Sequence, residues 1–356
     1  AIANNRASEV DYVLYDPQEN PLKTQEMDIS IFCGKNILIA MSLDPGNCSK
    51  ILKDAKQKQQ LYMGPTSLKE AEDMRTNCYA SAVSADELGK RFDQAGGVPR
   101  LLMEAKAPVS PTGFDDSVIK DISDRQNFAL NDLVVSPRRI DSGSVGSQFK
   151  SLWGLYHLVP DESFTNYQIE LCCDNALKLL RERLLEMDVQ RLWSLYEGTD
   201  ENMGTLRGIR FEAYAHKKIL LHGVEGTANK LNQNAISSSV TTRVVIPPGA
   251  AMYRLKDNNV GQLATQRAEV HRKNGGYMLP YLPNYPVIDS AYVSATNSCY
   301  MLQMKAGKSK PLSEKVTTVT AALGNTFIAV APNEHIVRRK LDGSPATMDQ
   351  FVLILE

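Results

Sequence analysis

Residues 285–306 read Tyr285-Pro-Val-Ile-Asp-Ser-Ala-Tyr-Val-Ser-Ala-Thr-Asn-Ser-Cys-Tyr-Met-Leu-Gln-Met-Lys-Ala306. Two apolar, strand-like runs flank the turn signal Thr296-Asn-Ser298, and this pattern predicts a β-hairpin. A loop with an odd number of residues gives pairs whose numbers sum to about 592, which sets Asp289 opposite Gln303. Because side chains alternate along a strand, Gln303 and Lys305 then share one face with Asp289.

An acid on one strand and Gln-x-Lys on the next resembles the PD-(D/E)xK nuclease core of restriction endonucleases. That core also uses an acid on a preceding helix, and Glu212 in Arg207-Gly-Ile-Arg-Phe-Glu212 fits this position. Phosphodiester hydrolysis needs a divalent cation held by hard oxygen ligands. The resemblance therefore implies Mg²⁺ or Mn²⁺ at Asp289, Gln303 and Glu212, with Lys305 orienting or deprotonating the attacking water.

The same residues also have a purely structural interpretation. Asp289 would cap a turn, Gln303 would be a polar residue of an edge strand, and Lys305 would be a solvated strand end. His216 lies four residues after Glu212 and shares its helix face, where it would either bond the carboxylate or pack in the core.

The charge of the chain is divided unevenly. Its 356 residues carry 40 Lys and Arg against 41 Asp and Glu, a net charge of -1. Residues 1–199 hold 22 basic and 29 acidic residues, whereas residues 200–356 hold 18 and 12. The basic half is expected to meet a polyanion, and we predict DNA. The predicted DNA-binding residues are Arg272, Lys273, Lys308, Lys310, Lys315, Arg338, Arg339 and Lys340.

Apolar runs and breakers predict an α/β chain. The predicted helices lie between Leu68 and Phe92, from Ser163 to Tyr196 as one or two helices, and from Leu206 to Leu221 with a stop at Gly223. The predicted strands cover 10–16, 37–41, 242–246, 287–295, 299–305, 326–331 and 351–355. The segment Glu197-Gly-Thr-Asp200 is the predicted boundary between the halves.

Short motifs in both halves follow the order found in the Crinkler effectors and the related retrotransposon hot spot proteins. The motifs that carry this resemblance are Ile39-Ala-Met-Ser-Leu-Asp-Pro45, Leu61-Tyr-Met-Gly-Pro65 with Leu68-Lys-Glu70, Arg91-Phe-Asp-Gln-Ala-Gly-Gly-Val-Pro-Arg100, Leu155-Tyr-His-Leu-Val-Pro160, Arg207-Gly-Ile-Arg-Phe-Glu212, Tyr285-Pro-Val-Ile-Asp289, Leu302-Gln-Met-Lys305 and Phe327-Ile-Ala-Val-Ala-Pro332. The likeness covers nearly the whole chain.

The resemblance implies a fold and a set of domains. Residues 1–110 would be a P-loop NTPase-like remnant, 111–199 a helical connector or lid, and 200–356 a restriction-endonuclease-like domain with a mixed central sheet. The Walker A motif is missing, so ATP hydrolysis is not expected from this chain. Asp16 would end the Walker B strand and Arg100 would sense nucleotide.

The leading functional hypothesis is a Mg²⁺-dependent DNA endonuclease of low sequence specificity. The family resemblance implies an effector that is secreted and acts in the host cell nucleus, or in the nucleus of the producing cell if the chain is closer to the hot spot proteins. The alternatives are a catalytically silent DNA- or chromatin-binding module, and an acidic half that self-associates or docks host nuclear proteins. No membrane partner is expected, because no apolar run approaches the roughly 20 residues that span a bilayer. Six cysteines without regular spacing predict reduced thiols.

Overall fold

The computed structural model describes residues 12–15, 36–39, 63–80, 83–103, 116–135, 155–199, 204–232, 236–255, 260–280, 287–306, 315–333, 336–337 and 348–355. The first elements are β1 (Tyr12–Tyr15), β2 (Asn36–Ile39), α1 (Leu68–Met74), α2 (Ala85–Ala95), α3 (Pro99–Met103) and α4 (Asp116–Val135). Strands β1 and β2 pair in parallel. Helix α1 begins at a capping box, in which the Ser67 hydroxyl accepts from the Glu70 N–H and the Glu70 carboxylate accepts from the Ser67 N–H. These elements confirm both predicted N-terminal strands and the helical segment after Leu68.

The middle of the chain forms β3 (Tyr156–Pro160), β4 (Tyr167–Leu171), α5 (Asp174–Glu186) and α6 (Val189–Glu197). The prediction of helix from Ser163 onward is wrong up to residue 173, because β4 lies there and pairs antiparallel with β3. The segment Tyr167-Gln-Ile-Glu-Leu171 alternates with period two and buries Ile169, as a half-buried strand does. Helix α5 begins only after Cys173, which is its N-cap.

The C-terminal part builds a mixed sheet. Its elements are α7 (Gly204–His222), β5 (Val224–Leu231), β6 (Ile236–Ile246), β7 (Met252–Leu255), α8 (Leu263–Arg272), β8 (Gly276–Pro280), β9 (Ser290–Val293), β10 (Cys299–Met304), α9 (Val316–Leu323), β11 (Thr326–Ala331) and β12 (Asp349–Ile354). Eight strands order as β6-β5-β12-β11-β10-β9-β8-β7. Strand β11 is parallel to β10 and β12, and β7 is parallel to β8, whereas the other neighbours are antiparallel. The chain is therefore an α/β protein with a large mixed sheet.

The predicted hairpin is confirmed as β9 and β10. Val293 pairs with Cys299 and Ser290 pairs with Leu302, so the loop 294–298 has an odd length and the register is the predicted one. Helix α9 then carries the chain from β10 to the parallel strand β11, which is the usual way to join parallel neighbours.

Apolar clusters cover both faces of the sheet. Leu302 and Met304 belong to the cluster on the side of α5, α6 and α7, whereas Met301 belongs to the cluster on the side of α8 and α9. The first cluster also joins Leu192 of α6 to Phe211 of α7, so one core spans the predicted boundary near residue 200. None of the described helices is long and apolar enough to cross a membrane.

The glycines of the Gly96-Gly-Val-Pro-Arg100 motif are required by close backbone contacts. Gly96 ends α2 with φ of 63°, and a Cβ there would lie 2.0 Å from the carbonyl oxygen of Cys172. A Cβ on Gly97 would lie 2.0 Å from the carbonyl oxygen of Thr66. Only glycine lets three chain segments meet at this point.

Replacing Gly96 by Ala is expected to lower the free energy of unfolding by about 2 kcal/mol, through left-handed strain and overlap with Cys172. Gly89 in the middle of α2 is the matched control, since a Cβ there meets nothing within 4 Å. Gly89→Ala is expected to stabilise the protein by about 0.5–1 kcal/mol. Urea denaturation measures the free energy of unfolding of both variants. Equal changes for Gly96→Ala and Gly89→Ala would contradict the packing argument.

Candidate active site

Helix α7 brings Glu212 and His216 to one side of the sheet. The two side chains are one helical turn apart, with His216 Nε2 3.6 Å from Glu212 Oε1. His216 Nδ1 hydrogen-bonds with the Tyr277 hydroxyl at 2.8 Å, and that hydroxyl hydrogen-bonds with Ser290 Oγ at 2.7 Å. His216 is only 3% exposed, so it both packs in the core and contacts the carboxylate. A polar chain thus runs from Glu212 through β8 to β9.

Arg181 of α5 is the strongest partner of Glu212. Its Nη2 donates to Glu212 Oε2 at 2.8 Å, and both side chains are largely buried. Burial raises the pKa of Glu212, but the charge of Arg181 and the neighbouring imidazole of His216 outweigh it and hold that pKa below its usual value. Glu212 is therefore ionised at neutral pH.

Asp289 lies just before β9, at the end of the sheet where β10 finishes. Its N–H donates to the carbonyl of Leu302 at 2.9 Å, although Leu302 pairs with Ser290 in the ladder. Its carboxylate accepts from the N–H of Met304 at 2.7 Å. Val287, two residues earlier, has φ of 75°, a strained value for a β-branched residue. The backbone is thus distorted where it presents this carboxylate.

The two carboxylates influence each other. Burial and then the negative charge of Glu212 raise the pKa of Asp289 to about 7, against the opposing effects of Met304, Arg181 and Lys305. One acid is ionised and the other titrates near neutrality, a difference typical of functional sites.

Of the two polar residues of the Gln-x-Lys motif, Lys305 acts on the charge of Asp289, whereas Gln303 faces away from it. Lys305 directly follows β10, its N–H donates to the Val330 carbonyl at 2.8 Å, and its charge lowers the pKa of Asp289. Gln303 lies between Leu302 and Met304, which both face α7, so strand alternation turns its side chain toward α8 and α9. Within the described part of the chain, Gln303 Oε1 is buried and has no hydrogen-bond partner.

A pocket opens around Glu212 and Asp289, between α5, α7 and the ends of β7 and β8. Apolar side chains form much of its lining, and the charged residues are Lys178, Arg181, Glu182, Glu212, Arg254 and Asp289, with His216. Lys178 and Arg181 are three residues apart on α5, and Arg254 is exposed on β7. The cations that line this pocket were therefore not among the predicted DNA-binding residues.

The predicted basic residues that the structure describes lie elsewhere. Arg272 and Lys273 end α8 just before β8 begins, whereas the opposite end of β8 lines the pocket. Lys273 binds Glu269 at 2.8 Å, and Lys315 is exposed before α9. Asp16, Lys308, Lys310, Arg338, Arg339 and Lys340 lie outside the described residues, as does the side chain of Arg100.

The donors at this site suit a magnesium ion better than a zinc ion. Among the described residues, no group of three or more His, Cys, Asp or Glu side chains could hold a metal. Mg²⁺ commonly uses one or two protein carboxylates together with waters and substrate phosphate. The repulsion between Glu212 and Asp289 is one that a divalent cation would relieve.

Comparisons of this chain with protein-family models, with curated proteins and with solved structures find no match. Function is therefore inferred from the chemistry of the site.

Proposed function

We propose that the protein is a metal-dependent DNA endonuclease whose active site is the pocket around Glu212 and Asp289. The observation that carries the proposal is that one acid from α7 and one from the start of β9 line the same pocket, where burial and then the charge of Glu212 raise the pKa of Asp289 to about 7. Lys305, at the end of the adjacent strand, acts on the same carboxylate. This combination of helix acid, strand acid and strand lysine is the one that the sequence motif predicts.

Glu212 and Asp289 would hold Mg²⁺ or Mn²⁺. A bound Mg²⁺ would supply Lewis-acid polarisation of the phosphodiester and a lower pKa of a coordinated water. Gln303 stays a predicted third ligand, although strand alternation turns its side chain toward α8 and α9, on the other face of the sheet from Glu212.

The protein's own cations would stabilise the substrate. Lys305 would stabilise the negative charge that develops on the phosphate oxygens. Arg254 of β7 and Lys178 of α5 both line the pocket and would bind phosphates of the substrate strand. Following the family resemblance, we propose that this activity belongs to a secreted effector that acts on DNA in a host nucleus.

Nicking of supercoiled plasmid tests the proposal. We expect relaxed circles with Mg²⁺ and none with EDTA, and we expect Lys305→Ala to reduce nicking by about 100-fold. Lys69→Ala on α1 removes an exposed lysine from another part of the chain and is expected to leave nicking unchanged. Equal activity of wild type and Lys305→Ala would overturn the assignment.

One observation favours a second candidate, the catalytically silent DNA-binding module. Arg181 already bonds Glu212 and His216 lies 3.6 Å from its other oxygen, so both would compete with a metal for this carboxylate. This candidate predicts salt-dependent binding of DNA with no cleavage in Mg²⁺ or Mn²⁺.

A further inference from the structure

Two adjacent cysteines join β4 to α5. The Sγ atoms of Cys172 and Cys173 lie 3.7 Å apart, and both residues are partly exposed. Neither is in a disulfide, and neither belongs to the pocket around Glu212. They form a dithiol that the proposed nuclease function does not use.

The two sulfurs have different surroundings. Cys173 is the N-cap of α5, and its Sγ accepts from the Ala176 N–H at 3.4 Å. As a thiol, the same sulfur donates to the carbonyl of Gln94 at 3.0 Å. Cys172 Sγ points toward Cys173 and accepts a long contact, 4.0 Å, from the amide nitrogen of Gln126. A helix N-terminus favours a thiolate, so Cys173 is the better nucleophile.

The shifts in acidity agree with this geometry. The hydrogen bond from Cys172 lowers the pKa of Cys173, although burial opposes it. That hydrogen bond, together with burial, raises the pKa of Cys172. Cys173 is therefore the more acidic of the two thiols.

We propose that Cys173 and Cys172 are a hydroperoxide-sensitive thiol pair, with Cys173 as the nucleophile and Cys172 as the resolving thiol. The Cys173 thiolate attacks one peroxide oxygen, so that an S–O bond forms, the O–O bond breaks and hydroxide leaves. The Cys172 sulfur then attacks the sulfenic sulfur, so that the S–S bond forms and the S–O bond breaks. The departing hydroxide takes the Cys172 proton, and the two sulfurs together lose the two electrons that the peroxide gains.

Oxidation would change the start of α5. Disulfide formation removes the thiol proton that Cys173 donates to the Gln94 carbonyl, so α5 loses this tie to the end of α2, and the disulfide sulfur would be a weaker cap for the Ala176 N–H. Arg181 lies two turns further along α5 and bonds Glu212. Oxidation of the pair would therefore alter the helix that carries Arg181, the ion-pair partner of Glu212.

Peptide mass spectrometry of the full chain, treated with hydrogen peroxide in small excess, tests the proposal. We expect the peptide with Cys172 and Cys173 to lose two hydrogens about tenfold faster than the exposed Cys78 is oxidised. Cys299 is buried and serves as the unreactive reference. Oxidation of Cys78 at an equal or greater rate would overturn the proposal.

Two serine variants separate the roles of the two sulfurs. Cys172→Ser is expected to accumulate a sulfenic acid at Cys173 that dimedone traps. Wild type is not expected to accumulate this sulfenic acid. Cys173→Ser keeps an N-cap oxygen and is expected to leave Cys172 unmodified. Equal dimedone labelling of wild type and Cys172→Ser would exclude Cys172 as the resolving thiol and so contradict the proposal.

Discussion

Asp289→Asn is expected to lower the rate of plasmid nicking by at least about 1000-fold. The substitution removes one of two carboxylates available for a metal, and loss of such a ligand is worth about 4 kcal/mol of transition-state stabilisation. The variant should still fold, because the Asn oxygen can accept the hydrogen bond that Asp289 receives from the Met304 N–H. Single-turnover nicking with saturating Mg²⁺ measures the effect.

The same chemical change at Asp161 is the matched control. Asp161 lies exposed in the turn between β3 and β4, where Asn166 and Ser163 donate to its carboxylate. Asp161→Asn removes an equal charge and should leave nicking within about twofold of wild type. A loss of activity in both variants would show that charge, and not the position of Asp289, matters.

Asp289→Asn is also expected to stabilise the protein at neutral and alkaline pH. The pKa of Asp289 rises from 3.8 to about 7 in the fold, so the native state binds a proton that the unfolded chain releases above pH 4. Wild type therefore loses stability as pH rises from about 4 to about 7, while the neutral Asn does not. The difference in free energy of unfolding between Asp289→Asn and wild type reaches up to about 4 kcal/mol above pH 7 and vanishes near pH 4.

Urea denaturation of both proteins at pH 4, 6, 7 and 8 measures that difference. The pKa of Asp161 is shifted in the opposite direction from that of Asp289, because hydrogen bonds from Asn166 and Ser163 lower it to about 2. Asp161→Asn should therefore lose stability relative to wild type above pH 4 and approach it as pH falls. A difference between wild type and Asp289→Asn that is independent of pH would contradict the raised pKa.

Local signals were sufficient to predict the hairpin and the helix of the candidate site. Turn residues between two apolar runs located β9 and β10, and the parity of the loop fixed which residues pair. Helical spacing set Glu212 and His216 on one face of α7, and Gly223 with φ of 68° ends the helix region as expected. These features depend on residues close together in the chain.

Other parts of the site depend on contacts that no local pattern reports. Arg181 and Tyr277 lie far from Glu212 and His216 in sequence, and only the packing of α5 and β8 against α7 brings them together. Strand β5 was missed because Val224-Glu-Gly-Thr-Ala-Asn-Lys-Leu231 has little β-forming composition and gains its order from β6 and β12.

The position of Asp289 was predicted only in part. The sum of paired residue numbers predicts Asp289 opposite Gln303. In the structure the Asp289 N–H instead donates to the Leu302 carbonyl, and the backbone two residues earlier is strained at Val287. A shift of one residue changes the direction of a side chain, and a sequence pattern does not carry such a local distortion. The faces of Gln303 and Asp289 consequently diverge where the simple alternation predicts that they coincide.

The apolar cluster that joins α6 to α7 limits the positions at which recombination can exchange part of this chain. Leu192 and Leu195 pack in one core with Phe211 and Tyr214, and Arg181 supplies the cation for Glu212. An exchange of sequence at residue 200 would give the recipient a site helix without its packing surface and an acid without its counter-ion. Productive exchange would have to carry α5, α6 and α7 together.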